Sequence, residues 1–291
     1  MSNNRSLLGR KVINRISWIV AALSLVAILL PLAWVIWGVV DRAYGNWQWS
    51  VLWTKPSGTG GGLLTAIVGT LVIVLGVAVI AGTVGMLSGL YLSEFTKPGK
   101  GGILRLCSEI LSGVPAIVLG YFGYTILVIK FKWGFSLGAA LVVLSIMVVP
   151  YITKSTESSI SRVPTAFREA AVGLGMSKMQ TIRKAVLRPA LPGIFTGLIV
   201  ALAIAMGETA PLLYTAGWSN NFPTAHVTHS PLGYLTYAVW TDYNQPLASS
   251  AELSASAAAL LLVLVLMMIL LSRLVMKLTG KYSVGDERTG K

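Results

Sequence analysis

Ionisable side chains inside long apolar runs are the first candidates for chemistry in this sequence. Glu208, followed by Thr209 and Pro211, lies within the apolar run 190–216. A carboxylate at membrane depth is costly, so if this run spans a bilayer the residue is a candidate for function. Two roles are open for Glu208. It accepts a hydrogen bond from a protonated oxyanion, or it pairs with a cation of another subunit, and either role places Glu208 and Thr209 on a path or gate.

A second charged group stands at the end of another apolar run. Lys154 and Glu157 are three residues apart and therefore share one face of a helix. This spacing suits a salt-bridge gate or a contact with a departing anion. The alternative is a lysine that extends to the membrane surface beside a solvated glutamate. Arg105 and Glu109 present the same choice.

Enzyme and metal chemistry have little support in the sequence. The chain contains two histidines, ten carboxylates and one cysteine, Cys107, which excludes an intramolecular disulfide. His226 and His229 have a spacing found in metal sites, but no cysteine or acidic cluster accompanies them. The phosphate-binding pattern G-x-x-x-x-G-K-[ST] is missing, so any ATP must bind to another chain. We predict no metal, no cofactor and no catalytic residue.

The elements that position these residues are membrane helices. The 291 residues are 55% hydrophobic and 11% charged, whereas charged residues make up about a quarter of soluble domains. A span needs about 20 apolar residues, and six runs qualify. The sequence therefore predicts an all-α membrane protein with six transmembrane helices, at about 18–40, 63–92, 110–129, 136–151, 190–216 and 253–271.

The basic residues predict which side each loop faces. Nineteen of the 23 lysines and arginines fall in the two tails and in the segments after the second and fourth spans. The positive-inside rule then places both termini, and the long segment after the fourth span, in the cytoplasm. The net charge of +13 thus reflects membrane topology and not nucleic-acid binding. The opposite face holds four basic residues, Arg42, Lys55, Lys130 and Lys132.

Residues 161–188 carry the strongest local signal. Apolar residues recur at helical spacing, and Gly175 suits the position that ends a helix. Ser177 and Gln180 form a capping box that opens a second helix through Met179, Ile182 and Val186. The pattern predicts a helical hairpin that docks into a soluble partner, and the alternative is an ordinary surface loop. The apolar positions of the first helix are Phe167, Ala170, Ala171 and Leu174.

This segment resembles the EAA loop of ABC importer permeases with the type I, MetI-like fold. Glu169-Ala170-Ala171 is followed by Gly175 and, later, by Val186-Leu187-Arg188-Pro189, where Arg188 replaces the usual leucine. In that family the loop fits a groove on the ATPase and transmits the closure of the ATPase dimer. The resemblance implies that the coupling residues here are Phe167, Arg168, Glu169, Ala170, Ala171 and Gly175.

Three further motifs are similar to those of the PstA-like phosphate-transport permeases, over about residues 60–275. They are SGVPAIVLGYFGY at 112–124, KSTE at 154–157 and GETAPLLYTAG at 207–217. Ile204 stands where related permeases commonly have an arginine, which leaves anion contact to Lys154 or to a partner subunit. The resemblance implies a second homologous permease, an ATPase dimer and a phosphate-binding protein, periplasmic or surface-anchored, that meets the outer loop 218–246.

The sequence thus predicts a permease subunit of an ATP-driven phosphate importer in the cell membrane. Two alternatives are an ABC permease for molybdate or sulfate, and a secondary anion carrier in which Glu208 relays protons. The predicted organisation is a basic tail (1–17), a first span (18–40), a permease domain (60–275, coupling segment 161–188) and a second tail (276–291).

Overall fold

A computed structural model describes residues 3–57, 60–96 and 102–279. The chain divides into two compact units, Met1–Trp47 and Gln48–Lys291. The first contains one helix, α1 (Asn3–Gly45), whose stretch from Arg10 onward is long and apolar enough to cross a membrane. The basic residues Lys97 and Lys100 and most of the predicted C-terminal tail (276–291) lie outside the described residues.

The second unit is almost entirely helical. A 3-10 turn (Trp49–Leu52) and a short antiparallel pair, β1 (Pro56–Ser57) and β2 (Gly60–Gly61), precede the first long helix. Ten helices follow among the described residues: α2 (Leu64–Glu94), α3 (Gly102–Gly113), α4 (Ala116–Gly123), α5 (Leu137–Ser161), α6 (Thr165–Gly173), α7 (Lys178–Thr181), α8 (Leu187–Gly207), α9 (Ala210–Thr215), α10 (Leu235–Tyr243) and α11 (Ala248–Thr279). π-helical turns extend α4 (Tyr124–Lys130) and join α7 to α8 (Ile182–Val186).

Helices α2, α5 and α8 form the centre of this unit, with α11 packed on α8. Glycines bring α2 and α5 together: a Cβ atom at Gly85 would lie 2.7 Å from Cβ of Ile152, and one at Gly89 would lie 2.6 Å from the carbonyl oxygen of Thr153. The small-residue spacing of these glycines therefore marks a close helix contact. Buried aliphatic residues such as Val77 and Leu144 fill the remaining interface.

The expectation of a helical membrane protein is confirmed, with five long apolar helices among the described residues. A sixth span exists only if the pair α3 and α4 counts as one, and this pair is bent by 95°. The prediction of one continuous helix over 110–129 is therefore wrong. Pro115 explains the break, because it donates no backbone hydrogen bond and disfavours helical geometry at Val114.

The predicted fifth span, 190–216, is also interrupted. A helix does continue from α7 through α8, so the second helix of the predicted hairpin is the start of this span and not a separate element. It ends at Gly207, and Glu208 is extended, with φ −75° and ψ 132°, before α9 begins. Pro211 disfavours a continuous helix, but the break lies three residues earlier, at Glu208.

Candidate translocation and coupling site

The second unit has two ends that differ in composition. The hairpin end comprises the last turns of α2 and α5 together with α6 and α7, and Gly89 meets Thr153 close to this end. The loop end comprises the start of α2 and residues 218–246, and Gly69 contacts the backbone of Gly233 there. The candidate residues are divided between these two ends.

The turn between α6 and α7 has the predicted geometry. Gly175 has φ +74°, and the N–H groups of Gly175 and Met176 donate to the carbonyls of Val172 and Ala171, which is a Schellman motif. Ser177 and Gln180 form a reciprocal capping box, with bonds of 3.4 and 2.9 Å. Both local predictions are confirmed. The positive φ gives Gly175 a conformational role, since residues that carry a side chain rarely adopt this backbone angle.

Arg168 anchors α6 to the rest of the unit. Its Nη2 donates to Oε1 of Glu94 at 2.8 Å and to the carbonyl of Ile160 at 3.3 Å. Its Nη1 donates to the carbonyl of Val163 at 2.7 Å. One guanidinium therefore joins the end of α2, the carbonyls at the end of α5, and α6 itself. The sequence resemblance grouped Arg168 with the coupling residues. In the structure, its side-chain N–H groups donate hydrogen bonds to acceptors within the chain.

The remaining coupling candidates divide into inward and outward positions. Ala171 is 2% exposed and faces the body of the unit. Glu169, Ala170 and Leu174 are exposed, the last at 77%, and Phe167 is 38% exposed. Phe167, Ala170 and Leu174 are spaced by three and four residues, so α6 presents an exposed apolar stripe beside the buried Ala171. We call these three residues the α6 stripe.

An ion pair joins α3 to α5 at the hairpin end. Arg105 Nη2 lies 2.7 Å from Glu157 Oε1, and Arg105 Nε donates to the same oxygen at 2.8 Å. The sequence placed Lys154 beside Glu157 on one helix face, but the partner of this carboxylate is Arg105, 52 residues away. The arginine is 42% exposed and α3 has no buried residue, so this contact is weakly supported by packing.

Lys154 lies in the same cleft as this ion pair. The cleft has a volume of about 340 Å³ and contains Arg105, Glu109, Lys154 and Glu157. The charges of its two cations and two carboxylates cancel, so the cleft has no net positive charge that would attract an anion. Hydroxyl groups complete the lining, from Ser108, Ser112, Tyr151 and Thr153. The hydroxyl of Thr153 is buried and has no hydrogen-bond partner.

Glu208 occupies the break between α8 and α9. Its carbonyl accepts a hydrogen bond from Thr236 Oγ1 at 2.9 Å, which satisfies a backbone group that the interrupted helix leaves free. Its half-buried carboxylate has no ion-pair or hydrogen-bond partner among the described residues. Thr209 begins α9 in backbone terms, and its carbonyl accepts from the N–H of Leu213 at 3.0 Å.

The two groups of path candidates lie at different depths. A Cβ atom at Gly193 or at Gly197 would contact the side chain of Ser159 or of Ser155, respectively, so α5 and α8 run antiparallel. This register sets Lys154 beside the middle of α8, about ten residues from Glu208 along the helix, or roughly 15 Å. The structure therefore does not bring Lys154 and Glu157 together with Glu208 in one site.

The loop end has an aromatic and acidic character. The rings of Trp218 and Tyr237 stack with centroids 4.6 Å apart beside a small pocket that also contains Asp242. Burial raises the pKa of Asp242 to about 6. His229 has φ 58° and donates its backbone N–H to the carbonyl of Trp133 at 2.7 Å, a structural role. No group of three metal-ligating side chains occurs among the described residues.

Sequence reasoning missed the role of Glu94. It lies two residues beyond the predicted second span, yet its carboxylate pairs with Arg168 and its side chain is 11% exposed. One signal was available: a carboxylate in the last turn of a helix opposes the helix dipole and needs a nearby cation. The sequence did not predict that this cation is Arg168, because 74 residues separate Arg168 from Glu94.

Comparison with known proteins defines the class to which this arrangement belongs. Residues 81–280 match the family of binding-protein-dependent transport system inner membrane components. The chain belongs to this family, and it is a non-enzymatic, multi-pass membrane component of an ABC system. Its fold is similar to that of a methionine ABC transporter MetNI in an inward-facing conformation, with a TM-score of 0.59 and 21% identity over 75% of this chain and 97% of that one.

Curated relatives are more specific. The chain is 52% identical over 266 residues to the phosphate transport system permease protein PstA 2 of Mycobacterium tuberculosis, covering 91% of this chain and 88% of that protein. It is 31% identical to the phosphate transport system permease protein PstA of Yersinia pestis, covering 90% and 89%. The resemblance to phosphate-transport permeases drawn from the sequence motifs is thereby confirmed.

Proposed function

We propose that this chain is the transmembrane permease subunit of an ATP-driven importer of inorganic phosphate. The curated relatives described above are phosphate permeases, which favours phosphate over molybdate or sulfate. A secondary carrier has no use for an exposed helical hairpin, and this chain has no phosphate-binding loop of its own. ATP hydrolysis therefore belongs to a separate ATPase dimer.

The α6 stripe is the observation that carries the coupling role. An apolar stripe on an exposed helix is costly unless a partner covers it, and a helix of this kind fits a hydrophobic groove. Phe167, Ala170 and Leu174, with the exposed Glu169 beside them, supply the contact surface for the ATPase. Ala171, Arg168 and Gly175 fix the shape of the hairpin instead.

Two connections carry motion from this surface into the membrane. Arg168 ties α6 to the ends of α2 and α5, so displacement of α6 acts on both helices. The turn at Gly175 leads into α7 and then into a helix that continues to Gly207. That helix, from Lys178, has a length of about 45 Å at 1.5 Å per residue. This helix ends next to Glu208. One continuous helix therefore links the hairpin to the helix break at Glu208.

Glu208 and Thr209 form the part of the proposed path that lies toward the loop end. A carboxylate at a broken helix can accept a hydrogen bond from the hydroxyl of HPO₄²⁻, which sulfate lacks, or it can bind a cation of the second permease. The cleft around Arg105, Lys154 and Glu157 is the proposed gate. Opening its ion pair frees Arg105, which then joins Lys154 as a second cation for the anion.

The proposed assembly contains a second homologous permease, an ATPase dimer and a phosphate-binding protein, periplasmic or surface-anchored. The hairpin end and both termini face the cytoplasm, because the basic residues gather there. The loop end, with residues 218–246, faces the binding protein. The lipid bilayer surrounds the apolar helices, and nucleic acid has no part in the function.

Leu174→Asp tests the coupling surface directly. The change places a charge on the α6 stripe without altering the core, so the chain should insert normally but no longer co-purify with the ATPase dimer. Phosphate uptake should be lost. Thr165→Asp is the matched control, since it adds the same charge to an exposed position in the first turn of α6. Normal assembly and uptake with Leu174→Asp would refute the coupling role.

Cysteine labelling tests the orientation. Cys107 is exposed and must first be replaced by serine. In that background, Ser177→Cys should react with a membrane-impermeant maleimide only after the cells are opened. Labelling in intact cells would place the hairpin outside and would overturn the importer proposal.

A further inference from the structure

A line of exposed side chains runs along the start of α8 and changes from basic to apolar. Lys184 and Arg188 are exposed, and Leu191 and Phe195 are 40% and 45% exposed. Their spacing of four, three and four residues places all four on one face of the helix. We call these residues the α8 line. It begins at the hairpin end and continues into the apolar part of the span.

The basic part of the α8 line borders a cleft. The cleft has a volume of about 550 Å³, and α6 contributes Phe167 to its wall. Pro189, Leu191 and Pro192 make most of the remaining lining apolar. Among the described residues, no carboxylate lines this cleft, and neither Lys184 nor Arg188 has an ion-pair partner. Two uncompensated cations thus stand above an apolar surface.

We propose that the α8 line binds an anionic phospholipid. The phosphate and acidic headgroup lie over Lys184 and Arg188, and one acyl chain follows Leu191 and Phe195. A basic cleft beside a membrane helix is a typical headgroup site, and each cation near the membrane surface adds to the attraction for an anionic lipid. The position of Lys184 and Arg188 at the end of the span sets them at headgroup depth.

The apolar continuation of the line distinguishes a lipid from other ligands. Free phosphate would use the two cations alone and would gain nothing from Leu191 or Phe195. A soluble protein partner can reach Phe167 and Lys184, but it cannot follow an apolar surface into the span. Of these three ligands, only an anionic lipid matches both parts, with charge at one end and hydrocarbon along the other.

The site also lies where a lipid can influence coupling. Phe167 belongs to the α6 stripe and also borders this cleft, and Lys184 lies in the π-helical turn that joins α7 to α8. A headgroup held between them restrains the hairpin relative to the span. Anionic lipid is therefore expected to regulate transport by the proposed assembly, a consequence that rests on the coupling role, whereas lipid binding itself does not.

The test compares lipid binding by the complete complex and two variants. The complex, freed of lipid, is reconstituted into nanodiscs containing phosphatidylcholine with increasing phosphatidylglycerol, and tightly held lipid is counted by native mass spectrometry. Lys184→Gln/Arg188→Gln should lower the apparent affinity for phosphatidylglycerol roughly tenfold or more, with binding of phosphatidylcholine unchanged. Arg183→Gln/Arg273→Gln removes two exposed charges off the α8 line and should leave phosphatidylglycerol binding intact.

A second variant and a competitor test the apolar part. Phe195→Asn should weaken phosphatidylglycerol binding while leaving both cations in place. Inorganic phosphate at millimolar concentration should not displace the lipid. Displacement by phosphate would identify a free-anion site, and a complex with no preference for phosphatidylglycerol would show that a protein subunit covers the cleft. Either result, or equal binding by the Lys184/Arg188 variant and its control, overturns the proposal.

Discussion

Carboxylates are held in opposite ways at the two ends of the second unit. At the hairpin end, Glu94 and Glu157 each bind an arginine, at 2.8 and 2.7 Å. Toward the loop end, the carboxylates of Glu208 and Asp242 have no ion-pair partner among the described residues. Paired carboxylates complete interactions within the chain, whereas an unpaired, half-buried carboxylate retains its need for a donor. The first kind stabilises the hairpin, and the second kind is available to a substrate, a proton or another subunit.

The two hairpin-end pairs also differ from each other. Arg168 has three acceptors and is 26% exposed, while Arg105 has one acceptor and is 42% exposed. A well-supported pair resists separation, and an exposed pair on a helix without buried residues separates easily. Strength of pairing therefore decreases from the Arg168–Glu94 pair to the Arg105–Glu157 pair, and this order ranks the effects of mutation.

The largest effect is expected for Arg168→Ala. It leaves Glu94 buried without a cation and frees α6, so phosphate uptake by the assembled complex should fall at least about tenfold. The unfolding free energy should fall by about 2–3 kcal/mol, measured as a lower melting temperature in detergent. Arg162→Ala removes an exposed arginine nearby and serves as the control. Adding Glu94→Gln should recover part of the lost stability, and no recovery would show that the ion pair is not the cause.

The next largest effect is expected for Glu208→Gln. The change keeps the shape but replaces an acceptor oxygen with a donor, so uptake should fall several-fold with little change in stability. If Glu208 binds the phosphate hydroxyl, discrimination against sulfate should weaken as well. If it pairs with a cation of the second permease, selectivity should be unchanged and charge reversal on the partner should restore uptake. Normal uptake and selectivity, with normal ATPase activity, would remove Glu208 from the path.

A smaller effect is expected for Arg105→Gln. The pair is partly exposed, so its loss should cost less than about 1 kcal/mol of stability. If the α3–α5 contact is a gate, ATPase activity without substrate should rise and its coupling to uptake should weaken. Glu157→Gln should behave in the same way. A variant that loses as much stability as Arg168→Ala would show that the two pairs do not differ as their exposure indicates.

The smallest effect on uptake is expected for Asp242→Asn, and its effect on stability depends on pH. The folded-state pKa near 6 lies above the ordinary value of 3.8, so the folded chain holds a proton that the unfolded chain has lost between these values. Asp242 therefore lowers stability above pH 6, and this cost disappears as the pH falls through 6 toward 4. Asp242→Asn should raise the melting temperature at pH 7.5, with the gain shrinking at pH 5.

Glu252→Gln, an exposed carboxylate in α11, is the control for this pH dependence. It should show no gain at either pH. An equal gain from both variants would indicate a general charge effect and would remove the contrast between the paired and unpaired carboxylates.

Local signals predicted local structure well. Gly175 and the Ser177–Gln180 box were read correctly because a cap depends on a few adjacent residues. Hydropathy does not predict the bend at Pro115, because the apolar run continues on both sides of it. The proline itself is the local signal for the bend. The extended backbone at Glu208 has no such marker, and Thr236, which satisfies its carbonyl, comes 28 residues later.

Pairing between helices could not be predicted from one sequence. Arg105 and Glu157, like Arg168 and Glu94, meet only because the last turns of α2 and α5 lie beside the first turns of α6 and α3. The distribution of basic residues predicted that these side chains lie near one membrane surface. It did not predict which arginine pairs with which glutamate. The separation of Glu208, toward the loop end, from the cleft at Lys154 depends on the antiparallel register of α5 and α8.

The helix that begins at the Ser177 cap fixes rotational phase as well as length. Each residue along it turns the chain by about 100° and advances it by 1.5 Å. The number of residues after Ser177 therefore determines both the direction in which the α8 line faces and the position of Glu208 along the helix axis. Inserting one residue in this helix would turn Glu208 about a quarter of the way around the axis relative to α5, without removing a single side chain.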